Sequence, residues 1–397
     1  MKAKILERYR GLAEKAKMSN CQQILDYLGQ EEEELDELGQ EVVRLDMPGN
    51  ETYNFNRRIK DEDLEPICIS YMSYVVNLRS INLSYNKITD KGIAKLAKLL
   101  EFSENISEIN FMGNQISDEG CEKLSSCLKG KVFLNSLNLN SNQIGNIGLM
   151  HINELLYTNP SLLKLDIGSN LYDWDGLIAI TTALKHTNTS LEVLNVDDPA
   201  YKIQDQDFFT HFGIMFRTNT SLKKISMKLH KIRFEGVQIL THYLKTYNES
   251  LRVLDLSCNQ ICFQGVNYIS EYLAETKCLK SIIISSNSIH NQGAKIFSKG
   301  VALNESLIHV NLTSNTIYDE GLCHLAEGFM ENTTVKSLKL FWNNSFGSQS
   351  IRLFNDYLKL KENEFYPDFM IYIDETGEMM IAYLETHIPN EKDYLLG

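Results

Sequence analysis

The sequence predicts an α/β fold, a right-handed solenoid bent into a horseshoe. Short parallel strands line its concave side and helices form its convex side. Three observations predict it. First, one unit recurs ten times, with openings at Leu78, Ile106, Leu134, Leu162, Leu191, Leu222, Leu251, Leu279, Leu307 and Val335. Such a period marks a stacked repeat architecture. Second, each unit carries two rhythms, an alternation of apolar and polar residues followed by apolar residues four apart. Third, no single unit can bury both of its apolar faces, so each must lie against its neighbours.

The clearest copy reads Leu78-x-x-Ile81-x-Leu83-x-x-Asn86-x-Ile88-x-x-x-Gly92. Ile81 and Leu83 alternate with polar residues, the pattern of a short half-buried strand. After the glycine, pairs such as Leu96 and Leu100, Leu124 and Leu128, or Ile269 and Leu273 draw one stripe along a helix. The asparagine returns as Asn86, Asn114, Asn142, Asn170, Asn259, Asn287, Asn315 and Asn343, where the strand must bend away. A buried amide there can bond backbone groups of the turn and of the adjacent unit, which reads as a structural role. The glycines, among them Gly92, Gly120 and Gly148, suit a tight helix entry. Strands sit about 4.8 Å apart and helices about 8–10 Å, so strands inside and helices outside imply curvature.

The ends differ from the array. Residues 1–41 read as two helices, Ala3 to Ala16 with Ile5, Tyr9 and Leu12 inward and Cys21 to Leu28, followed by an acidic run from Glu31 to Glu37. Residues 42–77 read as a degenerate capping repeat, its strand at Val42 to Met47, its helix from about Asp61 to Tyr74, and an insertion at Glu51 to Arg58 between them. Residues 78–361 hold the ten units. Residues 362–397 read as a β-hairpin cap and a tail, with Phe369 to Asp374 and Glu378 to Tyr383 flanking Glu375-Thr-Gly377. That hairpin is expected to pair against or cover the last repeat, closing its open sheet edge. Inside the array, Pro199 and His230 stand where asparagine is expected, and Phe208, Phe209, Phe212 and Phe216 crowd one helix.

With its long period and full helix, the unit resembles the ribonuclease-inhibitor type of leucine-rich repeat. The resemblance implies a binding surface rather than one particular activity. The Ran GTPase-activating proteins share this repeat type and imply an alternative as a small-GTPase regulator, but they carry a long acidic C-terminal tail that this chain lacks. Ribonuclease inhibitors themselves are rich in cysteine and Trp-lined on the concave face, which this chain is not. The ten-unit array with a hairpin end is also similar to a group of intracellular adaptors, which implies a cytoplasmic, nucleolar or ciliary scaffold, for instance in an axoneme.

Lys and Arg total 39 against 52 Asp and Glu, a net charge of −13, which argues against nucleic acid or an anionic membrane as the main partner. The start mixes charges without an apolar leader core, and no stretch reads as a membrane span. The eight cysteines form neither a zinc pattern nor a disulfide framework and read as free thiols in a reducing compartment. Sequons such as Asn188, Asn219, Asn248 and Asn304 each precede a repeat start by three residues and read as turn formers. No phosphate loop, nucleophile elbow or metalloprotease motif is present. The expectation is a non-enzymatic protein-binding scaffold with no metal, cofactor or small-molecule substrate.

The strand positions expected to face inward are mostly small and polar. Candidate partner-binding residues are the exceptions. Tyr85 lies near the start and Phe341 and Trp342 near the finish, with packing against the hairpin as the competing role of Trp342. Asp166, Asp197, Asp198 and Asp255 make an acidic middle, flanked by Lys224 and Lys228, suited to a basic peptide or helix.

Overall fold

The computed structural model describes residues 2–16, 21–30, 34–35, 41–50, 58–200, 206–344, 346–361 and 365–384. The acidic run, the insertion and the tail from Asn390 lie mostly or wholly outside these residues. The chain divides into two compact units, Met1–Asn195 with Pro199–Tyr201, and Val196–Asp198 with Lys202–Gly397.

In the first unit, helices α1 (Lys2–Lys15) and α2 (Gln22–Leu28) precede a short strand β1 (Glu34–Leu35) and β2 (Glu41–Asp46). Then follow α3 (Asp61–Tyr71), β3 (Leu78–Asn82), α4 (Asp90–Phe102), β4 (Glu108–Asn110), α5 (Asp118–Leu128), β5 (Ser136–Asn138), α6 (Asn146–Thr158), β6 (Lys164–Asp166), α7 (Trp174–His186) and β7 (Val193–Asn195). β1 is antiparallel to β2, and β2 to β7 pair in parallel in chain order. Helices α3 to α7 pack in succession. The N-terminal helices dock on this unit. Ile5, Tyr9 and Ala13 are buried where α1 meets α3, so Ala13 rather than Leu12 completes the apolar stripe. Gln23 Nε2 donates to the carbonyls of Met47 and Pro48, both at 2.9 Å.

The second unit repeats the scheme with β8 (Lys224–Ser226), β9 (Val253–Asp255), β10 (Ser281–Ile283), β11 (His309–Asn311), β12 (Ser337–Lys339) and β13 (Tyr366–Pro367), all parallel. The helices are α8 (Gln206–Thr218), α9 (Phe234–Tyr247), α10 (Cys262–Glu275), α11 (His290–Leu303), α12 (Asp319–Glu331) and α13 (Ser348–Lys361). A hairpin of β14 (Phe369–Ile373) and β15 (Met379–Tyr383) forms a separate two-stranded sheet. The edge of β12 is therefore paired by β13 and not by the hairpin. The Asp368 carboxylate completes that edge by accepting from the backbone N–H of Leu340 and Phe341 at 2.7–3.0 Å.

The alternation in sequence becomes alternation in burial. Ile81, Leu83, Leu137 and Leu139 are at most 1% exposed, and helix residues such as Leu96 and Leu124 are buried with them. Each such side chain contributes about 1.5–3 kcal/mol by leaving water.

The repeat asparagines form a shared ladder. The Leu83 carbonyl accepts from Asn86 at 3.0 Å and from Asn114, one unit on, at 2.9 Å. Phe111 O accepts from Asn114 and Asn142, and Leu139 O from Asn142 and Asn170. The second unit repeats this at Leu256 O and Leu312 O. A carbonyl has two lone pairs, and here each is taken by a different asparagine. The amide oxygen looks back one unit, accepting from Ile88 N (to Asn114, 3.1 Å), Ile116 N (to Asn142, 3.0 Å) and Ile144 N (to Asn170, 3.1 Å).

A second ladder runs along the helix starts. Asp61 accepts from Thr89 N and Oγ1, Asp90 from Ser117 N and Oγ, and Asp118 from Gly145 N and Gly148 N. A third ties the turns between helix and strand. Asn188, Asn248 and Asn304 donate to the Leu156, Phe216 and Leu273 carbonyls and accept from Leu191, Leu251 and Leu307 N–H. These sequon amides are buried and bonded at both ends, a structural use.

The regularly spaced glycines Gly92 and Gly120 have a different cause from the one expected. Gly92 and Gly120 have no positive φ, but a Cβ there would stand 2.4 Å from the Asp61 and Asp90 carboxylates. They make room for the second ladder rather than for an unusual backbone.

Candidate protein-binding face

In each unit the residue before the ladder asparagine, or before its replacement, takes a left-handed conformation. Tyr85, Ser141, Ser169, Asp198, Leu229, Cys258, Ser286, Ser314 and Trp342 have φ between 50° and 60°, and Gly113 has 69°. Left-handed backbone costs a non-glycine residue about 1 kcal/mol. Three of the expected binding residues, Tyr85, Asp198 and Trp342, hold this one corner position. The corner arises from the local chain path: the asparagine must turn its amide into the stack, which reverses the backbone just before it.

Tyr85 and Asp166 lie in the first unit. The Tyr85 hydroxyl meets Met112 Sδ at 3.4 Å. Asp166 accepts from Asn140 Nδ2 at 2.9 Å and Gly168 N at 3.1 Å.

The second unit brings Asp197, Lys228 and Asp255 together. Lys228 Nζ stands 3.1 Å from Asp255 Oδ2 and 3.8 Å from Asp197 Oδ2. Lys228 is thus central to the acidic stretch, not at its flank. Both carboxylates are also fixed by hydroxyls and backbone. Ser226 Oγ and Lys228 N donate to Asp197 Oδ1 at 2.6 and 2.7 Å, and Ser257 Oγ and N donate to Asp255 Oδ1 at 2.6 and 3.0 Å. Burial would lower the Lys228 ammonium's pKa, but the charges of Asp255 and Asp197 outweigh it and the net shift is upward. Burial raises Asp197, and this prevails over the hydrogen bonds and the Lys228 charge that pull it down. The two directions agree once burial is counted: Asp197 is more deeply covered than the ammonium that faces it. Lys224 sits elsewhere on this sheet, aligned with Val253, and Asp198 N donates to the Lys228 carbonyl at 2.9 Å.

At the far end of the same unit, Phe341 packs edge-on against Tyr383 of β15, with centroids 4.6 Å apart. Trp342 lies beside Phe341 at 5.6 Å and is 71% exposed. Packing against the hairpin therefore falls to Phe341, and the Trp342 ring faces water.

The irregular units have a packing explanation. His230 Nε2 lies 2.8 Å from the Val196 carbonyl, the place an asparagine amide would take, and its ring stacks on Phe208 with centroids 6.1 Å apart. Phe208 in turn meets Phe209 and Phe212 edge-on. Sequence reasoning did not single out His309, which lies on the sheet between Ser281 and Ser337, with Nδ1 3.0 Å from Ser337 Oγ. Burial, with Lys339 assisting, lowers its pKa to about 4. Among the described residues no group of three or more His, Cys, Asp or Glu is placed to hold a metal, and no helix is long and apolar enough to cross a membrane.

Comparison with known proteins bears on this geometry. A family model described as leucine rich repeat matches residues 76–97, 102–125, 131–152, 247–262 and 303–326. No curated protein matches the chain. Among solved structures, an internalin (inlF) from Listeria monocytogenes str. 4b F2365 is similar at 18% identity, covering 92% of this chain and 94% of that one, with a TM-score of 0.44. The structure of a TLR13–ssRNA13 complex is similar at 15% identity, covering 71% of this chain and 40% of that one, with a TM-score of 0.38. The matched segments fall on strand-to-helix units already described and are similar to leucine-rich repeats, and the described residues fold as an α/β repeat solenoid.

Proposed function

We propose that this chain is a non-enzymatic scaffold or adaptor that holds another protein against the face of its sheet that carries Asp197, Lys228 and Asp255. The observation that carries this reading is Lys228 clamped between Asp197 and Asp255. Hydroxyls and backbone groups hold these charges in place before any partner arrives, which lowers the cost of binding. An arginine of a basic segment, with its planar fork, can take the carboxylates from Lys228 by pairing in two places at once. Repeats of about 28 residues with full helices support placing them in the ribonuclease-inhibitor type. Of the two functions considered, the scaffold is the one that the clamped charge cluster on the sheet supports. A place in a larger assembly such as a ciliary axoneme is the finer form of the same proposal.

The test is recovery of partners from ciliated-cell extract on the immobilised full chain, compared with Asp255→Asn, Lys228→Glu and Asp166→Asn. Lower recovery with the first two supports the sheet face; equal recovery with all three overturns it. A tagged chain concentrated along cilia supports the axonemal form, and a diffuse signal removes it.

A further inference from the structure

We infer that the β14–β15 hairpin is a strand-addition site for an extended protein segment that is apolar along its length and basic at the end meeting the hairpin's tip. Among the described residues, the ring contacts that hold the hairpin lie at its root. Phe369 is 1% exposed and packs against Phe346 and Phe354 with centroids 5.5 and 5.3 Å away, while Tyr383 rests on Phe341. Beyond the root, Met370, Tyr372, Ile373 and Met380 are 40–70% exposed, so apolar side chains face water on both sides of the ribbon. A two-stranded ribbon wet on both faces is marginal by itself.

The backbone points the same way. Asp374 N donates to Glu378 O and Leu384 N to Asp368 O, so the internal ladder closes at even-numbered residues. In an antiparallel pair the N–H and C=O groups of the intervening residues then face outward. These belong to Ile371 and Ile373 on one edge and to Met379 and Ile381 on the other. Neither strand carries a lysine, a proline or any charge that would deter another strand.

Charge selects the occupant. The tip carries Asp374, Glu375 and Glu378 and no base. Asp374 is committed to the turn, accepting from Thr376 N and Glu378 N, which leaves Glu375 and Glu378 exposed to meet a cation. A second copy of this chain would bring the same carboxylates and, at a net charge of −13, repulsion. A segment ending in lysine or arginine brings complementary charge. Main-chain pairing supplies affinity and the apolar ribbon supplies specificity.

This inference rests on the reading of the chain as protein-binding but uses a different surface, so the two can fail separately. The probe is a displayed library of random twelve-residue peptides, panned on the full chain and counter-selected on a Met370→Glu/Ile373→Glu variant. The expected winners alternate apolar residues and carry Lys or Arg at one end. Their affinity should fall about tenfold with Glu375→Lys/Glu378→Lys, be lost with Ile373→Glu, and be unchanged by Lys228→Glu. Winners lacking a basic end, binding that survives Ile373→Glu, or binding lost with Lys228→Glu overturns it. So does binding seen only after deletion of residues 385–397, which would assign the ribbon to the chain's own tail, or dimerisation abolished by Ile373→Glu, which would assign it to a second copy.

Discussion

Replacing Asn142 with alanine tests the shared ladder at one rung. Asn142 is 7% exposed and donates to Phe111 O and Leu139 O, both at 3.0 Å, while its oxygen accepts from Ile116 N at 3.0 Å. The consequences are unequal. Phe111 O keeps Asn114 and Leu139 O keeps Asn170, so each carbonyl loses one of two partners. Ile116 N loses its acceptor inside the protein. A buried N–H left unpaired costs about 1–3 kcal/mol, and each lost carbonyl bond about 0.5–1.5, so Asn142→Ala should cost about 2–4 kcal/mol with partial relaxation. The assay is hydrogen exchange of the full chain followed by mass spectrometry, read on peptides containing Ile116. A loss of 3 kcal/mol speeds exchange through local opening by about a hundredfold. Asn140→Ala is the control, since that amide bonds the Asp166 side chain and no main-chain group. An acceleration at Ile116 below about fivefold, or equal effects from both variants, would refute the ladder as an energetic unit.

Three further outcomes follow from the geometry. Trp342→Asn should leave the thermal midpoint unchanged or raised, because asparagine tolerates φ near 58° better than tryptophan and the exposed ring gives up little packing; a midpoint several degrees lower would show that Trp342 is structural. Gly300→Ala should destabilise by about 1–3 kcal/mol in denaturant unfolding, because the new Cβ would stand 2.6 Å from the Ser270 carbonyl oxygen; a gain, the usual result inside a helix, would contradict that approach. For His309 the unfolded chain binds its proton near pH 6.5 and the folded chain only near 4, so stability falls with pH across that window, by about 3 kcal/mol at its end. A His309→Gln variant should lack that part of the slope, and identical pH profiles of unfolding would refute the assignment.

Much of the fold was legible because it rests on period. A strand's alternation, an asparagine at a fixed offset and a four-residue stripe can be counted without coordinates, and Ile81, Leu83 and Leu96 are buried as that counting requires. What escaped counting depends on which atoms meet across units. The carboxylate ladder was signalled by aspartate two residues before the glycine at Asp90, Asp118 and Asp319, but its partner lies one unit away and cannot be seen within a unit. For the same reason the glycines looked conformational when their purpose is space. Lys228 seemed to flank the acids because the meeting of its ammonium with Asp197 and Asp255, two strands apart, is visible only in three dimensions. His230 looked like an irregularity, and its stacking on Phe208 shows that ring and phenylalanine cluster were to be read together. The placement of partner-binding residues was least legible, since small polar side chains on a sheet face carry no periodic signal.

Because ladder carbonyls such as those of Leu83, Phe111 and Leu139 are claimed from their own unit and from the following one, the architecture has a natural grain. Gene changes that add or remove a whole module leave every such claim satisfied, so the array can lengthen or shorten in evolution with little penalty. A cut through the middle of a module strands a donor on one side and a half-claimed carbonyl on the other. Truncations meant to isolate a functional part should therefore respect those seams, and should carry along a closing device of the kind Asp368 provides at the last strand.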